Sequence, residues 1–191
     1  YNVLGANTTG YSNVGVGGSA SFLAAALATN TTGYGNTAVG SGAMAATTTA
    51  SGNVAVGRQS MYANTTGSNN VAIGQAALAL NTTAGNNVAI GMNALDANTT
   101  ASRNIAMGTN ALGANTTGAE NVGIGYSTLD TNTTGNRNTS LGDASMDANT
   151  TGSDNVAVGQ QALTQNTTAS NNTAVGQKAL YANTTAAYNT A

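Results

Sequence analysis

A 17-residue unit recurs along the chain, and this repetition restricts the possible folds more than any other feature. The unit reads Asn-Thr-Thr-Gly-x-x-Asn-Val-Ala-Val-Gly-x-x-Ala-Leu-x-Ala, and its positions are numbered here from 1 to 17, starting at the first Asn. Copies begin at residues 7, 30, 47, 64, 81, 98, 115, 132, 149, 166 and 183. Because units of fixed length stack on their neighbours rather than on distant parts of the chain, the pattern predicts a solenoid.

Residues 1–191 are predicted to form a single repeat array with two irregular units. The first unit, 7–29, contains a six-residue insertion at 18–23, and the last unit, 183–191, is partial. We interpret the insertion as a surface loop rather than an end cap. The chain opens at Tyr1 without a signal-like segment, which is expected of a mature or excised piece of a longer protein.

The composition excludes several classes of partner and chemistry. Only 5% of residues are charged, against about 25% in an average soluble protein. The basic residues are spread singly, so no face is expected to attract nucleic acid or an anionic membrane. No apolar run approaches the roughly 18 residues that span a bilayer. The chain has no Cys and no His, which removes disulfides and the usual transition-metal ligands.

Positions 7 to 10 have the pattern of a strand, as in Asn70–Ile73, where two apolar residues flank a small one. Position 10 is always apolar, so we predict that it lies in the core, and position 8 also admits Thr, so we place it near the edge of the core. Position 9 is only Ala, Gly or Ser. We interpret that small-residue face as a contact with another subunit.

Position 15 is Leu or Met throughout and predicts a second short strand facing the first. A helix over residues 75–80 is a weaker interpretation, because isolated helices shorter than roughly 12 residues are marginal. We therefore predict an all-β fold, a parallel β-solenoid of about eleven coils. At about 4.8 Å per coil, the rod would be roughly 50 Å long.

Position 11 is Gly in every complete copy, which predicts a turn that needs positive φ or a close backbone approach. These structural glycines are Gly40, Gly57, Gly74, Gly91, Gly108, Gly125, Gly142, Gly159 and Gly176, together with Gly17 in the first unit. Position 4 alternates between Gly and Ala and has no such requirement. The variable pairs at positions 5–6 and 12–13 are interpreted as solvent-facing turns.

The Asn-Thr-Thr triplet is formally an acceptor for N-glycosylation. The candidate residues are Asn30, Asn64, Asn81, Asn98, Asn115, Asn132, Asn149 and Asn166, with terminal copies at Asn7 and Asn183 and further matches at Asn138 and Asn171. A competing interpretation is a ladder of stacked Asn amides in a repeated turn. The ladder is favoured because Asn also recurs at position 7, mostly without an acceptor motif. Sugar attachment, through Asn or the neighbouring Thr, stays open.

Rows of Thr also suggest ice binding. If Thr31-Thr32 and Thr65-Thr66 lie in strands, however, only one member of each pair can point outward. A single rank of Thr is a poor ice surface, so this hypothesis is disfavoured.

The acidic residues offer little catalytic chemistry. Asp96, Asp130 and Asp147 share position 16, while Glu120, Asp143 and Asp154 lie elsewhere. Two carboxylates one coil apart could bind a cation or act as acid and base, but a role in surface solubility is favoured. The Gly pattern lacks the Lys-Ser/Thr ending of a phosphate-binding loop, and calcium-binding Gly-Gly-x-Gly-x-Asp repeats are missing. We therefore expect no catalytic residue, no metal site, no cofactor and no enzymatic activity.

The segment from Asn64 to Leu78 resembles the 17-residue repeats of secreted bacterial and phage fibre proteins, which often end in a tailspike-type intramolecular chaperone. Its Asn-Val-Ala-Ile-Gly core (Asn70–Gly74) is also similar to the head repeats of trimeric autotransporter adhesins. The resemblance implies a left-handed parallel β-roll or solenoid, commonly three chains around one axis. Two features depart from these families: adhesin heads have a shorter repeat, and the chain contains no chaperone domain.

These features together predict a non-catalytic repeat segment of an extracellular fibre or surface adhesin, located outside the cell, on its surface or on a virion. The expected partner is another copy of the chain, in a trimer or an end-to-end filament. A host-surface or carbohydrate ligand would be bound through other parts of the parent protein. The alternatives are an ice- or glycan-binding solenoid and a glycosylated filament subunit.

Overall fold

The computed structural model describes residues 2–18 and 24–191. It contains one parallel sheet of ten short strands, which are joined by turns and bends. Neighbouring strands in the chain are neighbours in the sheet, and the starts of β2 to β10 are 17 residues apart. The strands are β1 (Val14–Val16), β2 (Thr37–Val39), β3 (Val54–Val56), β4 (Val71–Ile73), β5 (Val88–Ile90), β6 (Ile105–Met107), β7 (Val122–Ile124), β8 (Thr139–Leu141), β9 (Val156–Val158) and β10 (Thr173–Val175). Thr190 in the last unit adds one parallel bridge to Thr173. The predicted parallel β-solenoid is confirmed.

The coils are in perfect register, and backbone hydrogen bonds join them well beyond the strands. Val54 pairs with Val71, its equivalent one repeat later. On the other sides of the coil, the amide of Met61 donates to the carbonyl of Ala77 at 2.9 Å, and the amide of Ala63 donates to that of Ala79 at 2.9 Å. Because most of these bonds recur from level to level, hydrogen-bonded ladders run along the rod on several sides of the coil.

The interior of the coil is filled by positions 9, 14 and 15, for example Ala89, Ala94 and Leu95, which are fully buried. The prediction that position 9 faces another subunit is therefore wrong, because its side chain packs inside its own coil. The core prediction for position 10 is also wrong, since Ile73 and Ile124 are 40% and 39% exposed. Alternate residues of a strand point to opposite faces. Opposite the Leu or Met at position 15, the narrow interior has room only for Ala, Gly or Ser, so the larger residues point outward.

Position 15 contributes to the core as predicted, but it does not lie in a second strand. Leu78, Leu95 and Leu163 lie in turns and have φ of 54°, 54° and 51°. Positions 6 and 13 are also left-handed, as at Asn69 (φ 59°) and Gln161 (φ 58°). A second strand would have carried the chain straight on, whereas these three left-handed residues bend each coil back to the strand of the next level.

Two successive coils replace core Ala by other residues in a compensated way. Position 14 is Thr128, and the facing position 9 is Gly123, where an added Cβ would lie 3.2 Å from Cγ2 of Thr128. In the next coil, Ser140 and Ser145 occupy the same two positions. Thr128 Oγ1 donates to Ser140 Oγ at 2.8 Å, and Ser140 Oγ donates to the carbonyl of Ser145 at 3.0 Å. Each of these buried hydroxyl groups thus has a hydrogen-bond partner, as is usual for buried polar groups.

Most of the predicted insertion lies outside the described residues, namely residues 19–23. The surface-loop interpretation of that segment stays a prediction, as does the left-handedness of the solenoid.

Candidate functional site

The outer face of the sheet carries two columns of side chains, at positions 8 and 10, which we call the outer strip. Position 8 contributes Val14, Thr37, Val54, Val71, Val88, Ile105, Val122, Thr139, Val156 and Thr173, and position 10 contributes Val16, Val39, Val56, Ile73, Ile90, Met107, Ile124, Leu141, Val158 and Val175. All of these residues are exposed or half-buried. With strands about 4.8 Å apart, the strip runs for roughly 45 Å along the rod.

The outer strip is apolar along its whole length. Three of its members are Thr, and the others are aliphatic or Met, with no charged residue among them. Ile105, Met107 and Ile124 near its middle are each 37–39% exposed. Monomeric proteins rarely leave contiguous apolar patches of more than a few hundred Å² in water, and larger patches mark contact surfaces. The strip is therefore the main candidate site for an intermolecular contact.

The Asn residues of the Asn-Thr-Thr triplets form a ladder inside the rod. The eight candidate acceptors from Asn30 to Asn166 have 0% exposure. In a typical copy, Asn81 Nδ2 donates to Asn64 Oδ1 at 2.9 Å and to the carbonyl of Ala84 at 3.1 Å. Both amide hydrogens are thus in use, and a sugar on Nδ2 would replace one of them in a space that is already filled. The folded coil favours the ladder over N-glycosylation at these residues.

A second ladder is formed by the Asn residues at position 7. Asn70 Nδ2 donates to the carbonyl of Ala84 at 2.9 Å, and Asn70 Oδ1 accepts the backbone amide of Asn87 at 2.9 Å. The carbonyl of Ala84 thereby accepts from both ladders. Where both positions are Asn, successive coils are thus tied together by two buried amides that share one acceptor.

The first ladder has one break, at Thr47, where the repeat has Thr in place of Asn. Asn30 Oδ1 is buried and has no hydrogen-bond partner among the described residues. In the other coils this oxygen accepts from the Asn one repeat later. On the other side of the break, Asn64 Nδ2 keeps its bond to the carbonyl of Gly67 but has no Asn below it to donate to.

We expect Thr47→Asn to stabilise the protein, by about 1 kcal/mol, because it supplies the missing donor to Asn30 and an acceptor for Asn64. These two bonds outweigh the one that is lost, from Thr47 Oγ1 to the carbonyl of Asn64 at 3.0 Å. The measurement is the denaturant midpoint from far-UV circular dichroism. Thr49→Asn, in the same coil at an exposed position, is the matched control and should leave the midpoint unchanged. Equal midpoints for Thr47→Asn and the unmodified protein would contradict this account of the break.

The position-11 glycines have φ between 128° and 142°, a conformation that residues with a Cβ rarely adopt. They also stack directly on one another. A Cβ on Gly74 would lie 2.4 Å from the carbonyl oxygen of Gly91. Gly17 and the eight glycines from Gly40 to Gly159 thus allow the backbones of successive coils to approach closely at this corner, whereas no atom lies within 4 Å of the Cβ position of Gly176.

The carboxylates at position 16 share one side of the rod. Asp96, Asp130 and Asp147 are half-buried, and burial raises the pKa of each. The negative charges of Asp147 and Asp96 raise the pKa of Asp130 further. Gly113 separates Asp96 from Asp130 in this column. Within the described ranges, no group of three acidic, His or Cys side chains is arranged to hold a metal ion.

Asp130→Asn should raise the thermal stability near neutral pH, by at most about 1 kcal/mol because solvent screens a half-exposed charge. The folded-state pKa of Asp130 lies above its ordinary value of 3.8, so the ionised group disfavours the fold at neutral pH. That penalty disappears as the pH falls through the raised pKa toward 3.8. Melting curves at neutral pH and near pH 4 should therefore show the advantage of the variant shrinking on acidification.

Asp154→Asn provides the control of opposite sign. A hydrogen bond from Arg137 lowers the pKa of Asp154, so this contact stabilises the fold above pH 3.8 and is lost only below it. The Asn variant should be the less stable protein at neutral pH. The same pH trend in both variants would contradict the assigned pKa directions.

Two columns of interacting side chains, at positions 5 and 6 of successive coils, were not predicted from the sequence because the residues at these positions vary. At position 6, Arg103 and Glu120 form an ion pair at 2.5 Å, and Arg137 and Asp154 form another at 2.6 Å. In both pairs the opposite charges lie 17 residues apart, and this spacing could have predicted the ion pairs from the sequence. At position 5, a side-chain oxygen caps the amide of the previous coil, as where Ser68 Oγ accepts from the Ser51 amide at 3.0 Å.

The surface formed by residues 2–18 and 24–191 has no pocket. In the same part of the chain, no helix has the length and apolar character needed to cross a membrane.

Comparison of the chain with protein-family models, with curated proteins and with solved structures gave no match.

Proposed function

We propose that the chain is a structural, non-catalytic segment of an extracellular fibre or surface adhesin, in which copies of the rod associate side by side through the outer strip. The observation that carries this proposal is the strip itself, two apolar columns along all ten strands. Burial of these side chains against water is the main source of free energy for such an association.

The geometry of the strip favours three copies over two. Two columns about 10 Å wide and roughly 45 Å long offer about 450 Å² per chain, whereas a standard interface buries about 800 Å² per partner. A face-to-face pair through the strip alone is therefore small. Around a shared axis, each strip would contact two neighbours, and the flanking turns would add contact area.

The positions of Thr in the strip favour chains that run parallel and in register. Thr37, Thr139 and Thr173 are its only hydroxyl-bearing members. In a parallel arrangement, each Thr meets the same Thr of another chain, and the hydroxyls can pair. In an antiparallel arrangement with the strands aligned end to end, each of them would face an aliphatic residue and would lose a hydrogen bond on burial.

The mechanical role follows from the ladders. Nearly every level of the rod is joined to the next by backbone bonds and by two rows of buried Asn amides. Stretching or bending the rod requires many of these bonds to break together. A rod of this kind is suited to act as a shaft or spacer, and attachment to a host surface or carbohydrate would fall to other parts of the parent protein.

The test is a charge placed in the strip. The double variant Ile90→Lys with Ile124→Lys should be monomeric in sedimentation velocity, because Lys cannot be buried unpaired at an apolar contact. Thr83→Lys with Thr117→Lys is the matched control, since these exposed residues lie in the same coils, five positions before the strip and away from the turns beside it. The control should keep the mass of the unmodified protein. The proposal fails if the strip variant has the same mass as the control while both retain native circular dichroism.

A further inference from the structure

We propose that the threonine rank, defined as the position-3 Thr of all eleven repeats from Thr9 to Thr185, binds ice. This function goes beyond the shaft role, because it gives one exposed side of the rod a ligand of its own. The ligand class is an ordered water lattice, contacted by hydroxyl and methyl groups at a fixed repeat.

The two Thr residues of each triplet have different roles in the structure. They lie in a bend rather than in a strand, so strand alternation does not decide which one is exposed. Thr65 is half-buried, and its Oγ1 donates to the carbonyl of Thr82 at 3.0 Å. Thr66 is exposed, and its hydroxyl makes no hydrogen bond to any described residue. The rank is therefore a single row that presents its hydroxyls to water, beside the half-buried row at position 2. Because only one row is exposed, we expect a weaker effect on ice than a flat surface with two exposed rows would have.

A backbone hydrogen bond fixes the rank in six of the eleven repeats. The amide of Thr66 donates to the carbonyl of Thr82 at 3.2 Å. An equivalent bond occurs in each of the six repeats in which position 4 is Gly, as with Thr117 and Thr133 at 3.2 Å. Thr is also stiff about χ1 because it is β-branched. The spacing of the hydroxyls is therefore the coil spacing, about 4.8 Å, which is close to a repeat of hexagonal ice.

The constancy of position 3 is not explained by the packing of the coils. Exposed position 6 varies from Gly35 to Arg103 and Tyr188, and position 12 varies as widely. Position 3 is Thr in every copy, although its hydroxyl has no partner inside the rod. Val has nearly the same shape and would stack as well between coils. What the constancy preserves is the hydroxyl beside the methyl on the surface.

The chemistry of the rank favours ice over other ligands. It contains no charge that could hold an ion or phosphate, and no aromatic ring on which a sugar could stack. The nearest aromatic pair, Tyr11 and Tyr34, is stacked on itself with ring centroids 4.9 Å apart and flanks only the first two coils. An uncharged, evenly spaced array of hydroxyls and methyls is complementary to a lattice of water molecules.

The experiment measures thermal hysteresis and inhibition of ice recrystallisation by the full chain. The rank variant is Thr83→Lys, Thr117→Lys and Thr151→Lys, and the control is Met92→Lys, Tyr126→Lys and Gln160→Lys in the same three coils. All six positions are exposed, and circular dichroism verifies that both variants fold. The unmodified protein and the control should show both activities, and the rank variant should lose them. A second variant, with Ser at the same three Thr positions, should be weakened because it keeps the hydroxyls and loses the methyls.

The proposal is overturned if the unmodified protein has no effect on ice, if the rank variant keeps its effect, or if the control loses its effect as well. Binding to insoluble cellulose or chitin that is lost in the rank variant, without any effect on ice, would instead assign the rank to carbohydrate. These outcomes are independent of the shaft proposal. The rank and the outer strip are separate segments of the coil, and the strip test measures mass.

Discussion

Gly91→Ala is expected to destabilise the protein by about 4 kcal/mol or more, an exceptional effect for one methyl group. Gly91 has φ of 136°, and an added Cβ would lie 2.4 Å from the carbonyl oxygen of Gly108. Gly108 cannot easily move away from the added Cβ, because its amide donates to the carbonyl of Ile90 at 2.7 Å. Backbone strain and a clash between two coils therefore add together. The measurement is chemical denaturation followed by far-UV circular dichroism.

Gly35→Asn is the matched control for this prediction. Gly35 also has positive φ, 64°, but the nearest atom to an added Cβ is 4.0 Å away. Asn69 and Asn86 occupy the same repeat position with φ of 59° and 62°, so the conformation accepts Asn. The control should stay within about 0.5 kcal/mol of the unmodified protein. A similar small loss for Gly91→Ala would show that the coils do not approach as closely as described.

Asn87→Ala should cost about 3 kcal/mol, because it leaves a buried backbone amide without an acceptor. Asn87 Oδ1 accepts the amide of Asn104 at 2.9 Å, and Asn87 Nδ2 donates to the carbonyl of Ala101 at 3.0 Å. The carbonyl of Ala101 keeps its bond from Asn98, but no other group is placed to accept from Asn104. The free energy of unfolding from denaturant titration checks this value.

The control for the ladder is the adjacent residue. Asn86 is exposed and left-handed, and its side chain makes no hydrogen bond to the described residues. Asn86→Ala should cost no more than about 1 kcal/mol, the preference of Asn for that backbone conformation. If the two Ala variants were equally stable, the Asn row would owe its repetition to something other than the ladder.

The repetition alone allowed the class of fold to be predicted. A strict 17-residue period requires stacked, equivalent coils, and Val-Ala-Ile at positions 8 to 10 has strand character. Comparison of copies within the chain also identified position 11 as the Gly that needs positive φ. The prediction that position 4 has no need of a close backbone approach was wrong where that residue is Gly, since a Cβ on Gly67 would lie 2.2 Å from the carbonyl oxygen of Ala84. The predictions of stacked coils, of strands and of the turn at position 11 rest on residue types that recur at the same position of each copy, so they did not require knowledge of the tertiary contacts.

The side of the strand that faces the core could not be predicted in the same way. Large apolar residues are usually buried, so Ile73 and Ile90 were placed inside and Ala72 and Ala89 outside. The structure reverses this, because a coil of only 17 residues encloses little volume. Leu78 at position 15 nearly fills it, and only a small residue such as Ala72 fits opposite. The prediction failed because the size of the interior depends on the whole coil.

The turn at position 15 was missed for a related reason. Leu seldom adopts positive φ, at a cost of roughly 1 to 2 kcal/mol per residue, so Leu95 suggested a strand. In the coil, this conformation is what turns the side chain into the core while the backbone reverses direction. Burial of Leu95, worth about 1.5 to 3 kcal/mol, offsets the strain. Local preference pointed away from a conformation that is stabilised only by packing.

The reversal also changes the interpretation of the surface. The small residues at position 9 are buried inside the coil, and we propose that the outer strip of positions 8 and 10 forms the intermolecular face instead. The proposed assembly of copies would then have a contact made of Val, Ile, Leu and Met rather than Ala. Such a contact buries far more apolar area per coil and gives association a stronger driving force.

The mass of the unmodified protein in solution tests this account most directly. Light scattering across a range of concentrations should give three times the 18.5 kDa of one chain, and the value should stay constant on moderate dilution. A mass of 18.5 kDa at every concentration would show that the outer strip stays in water and would contradict the proposed assembly.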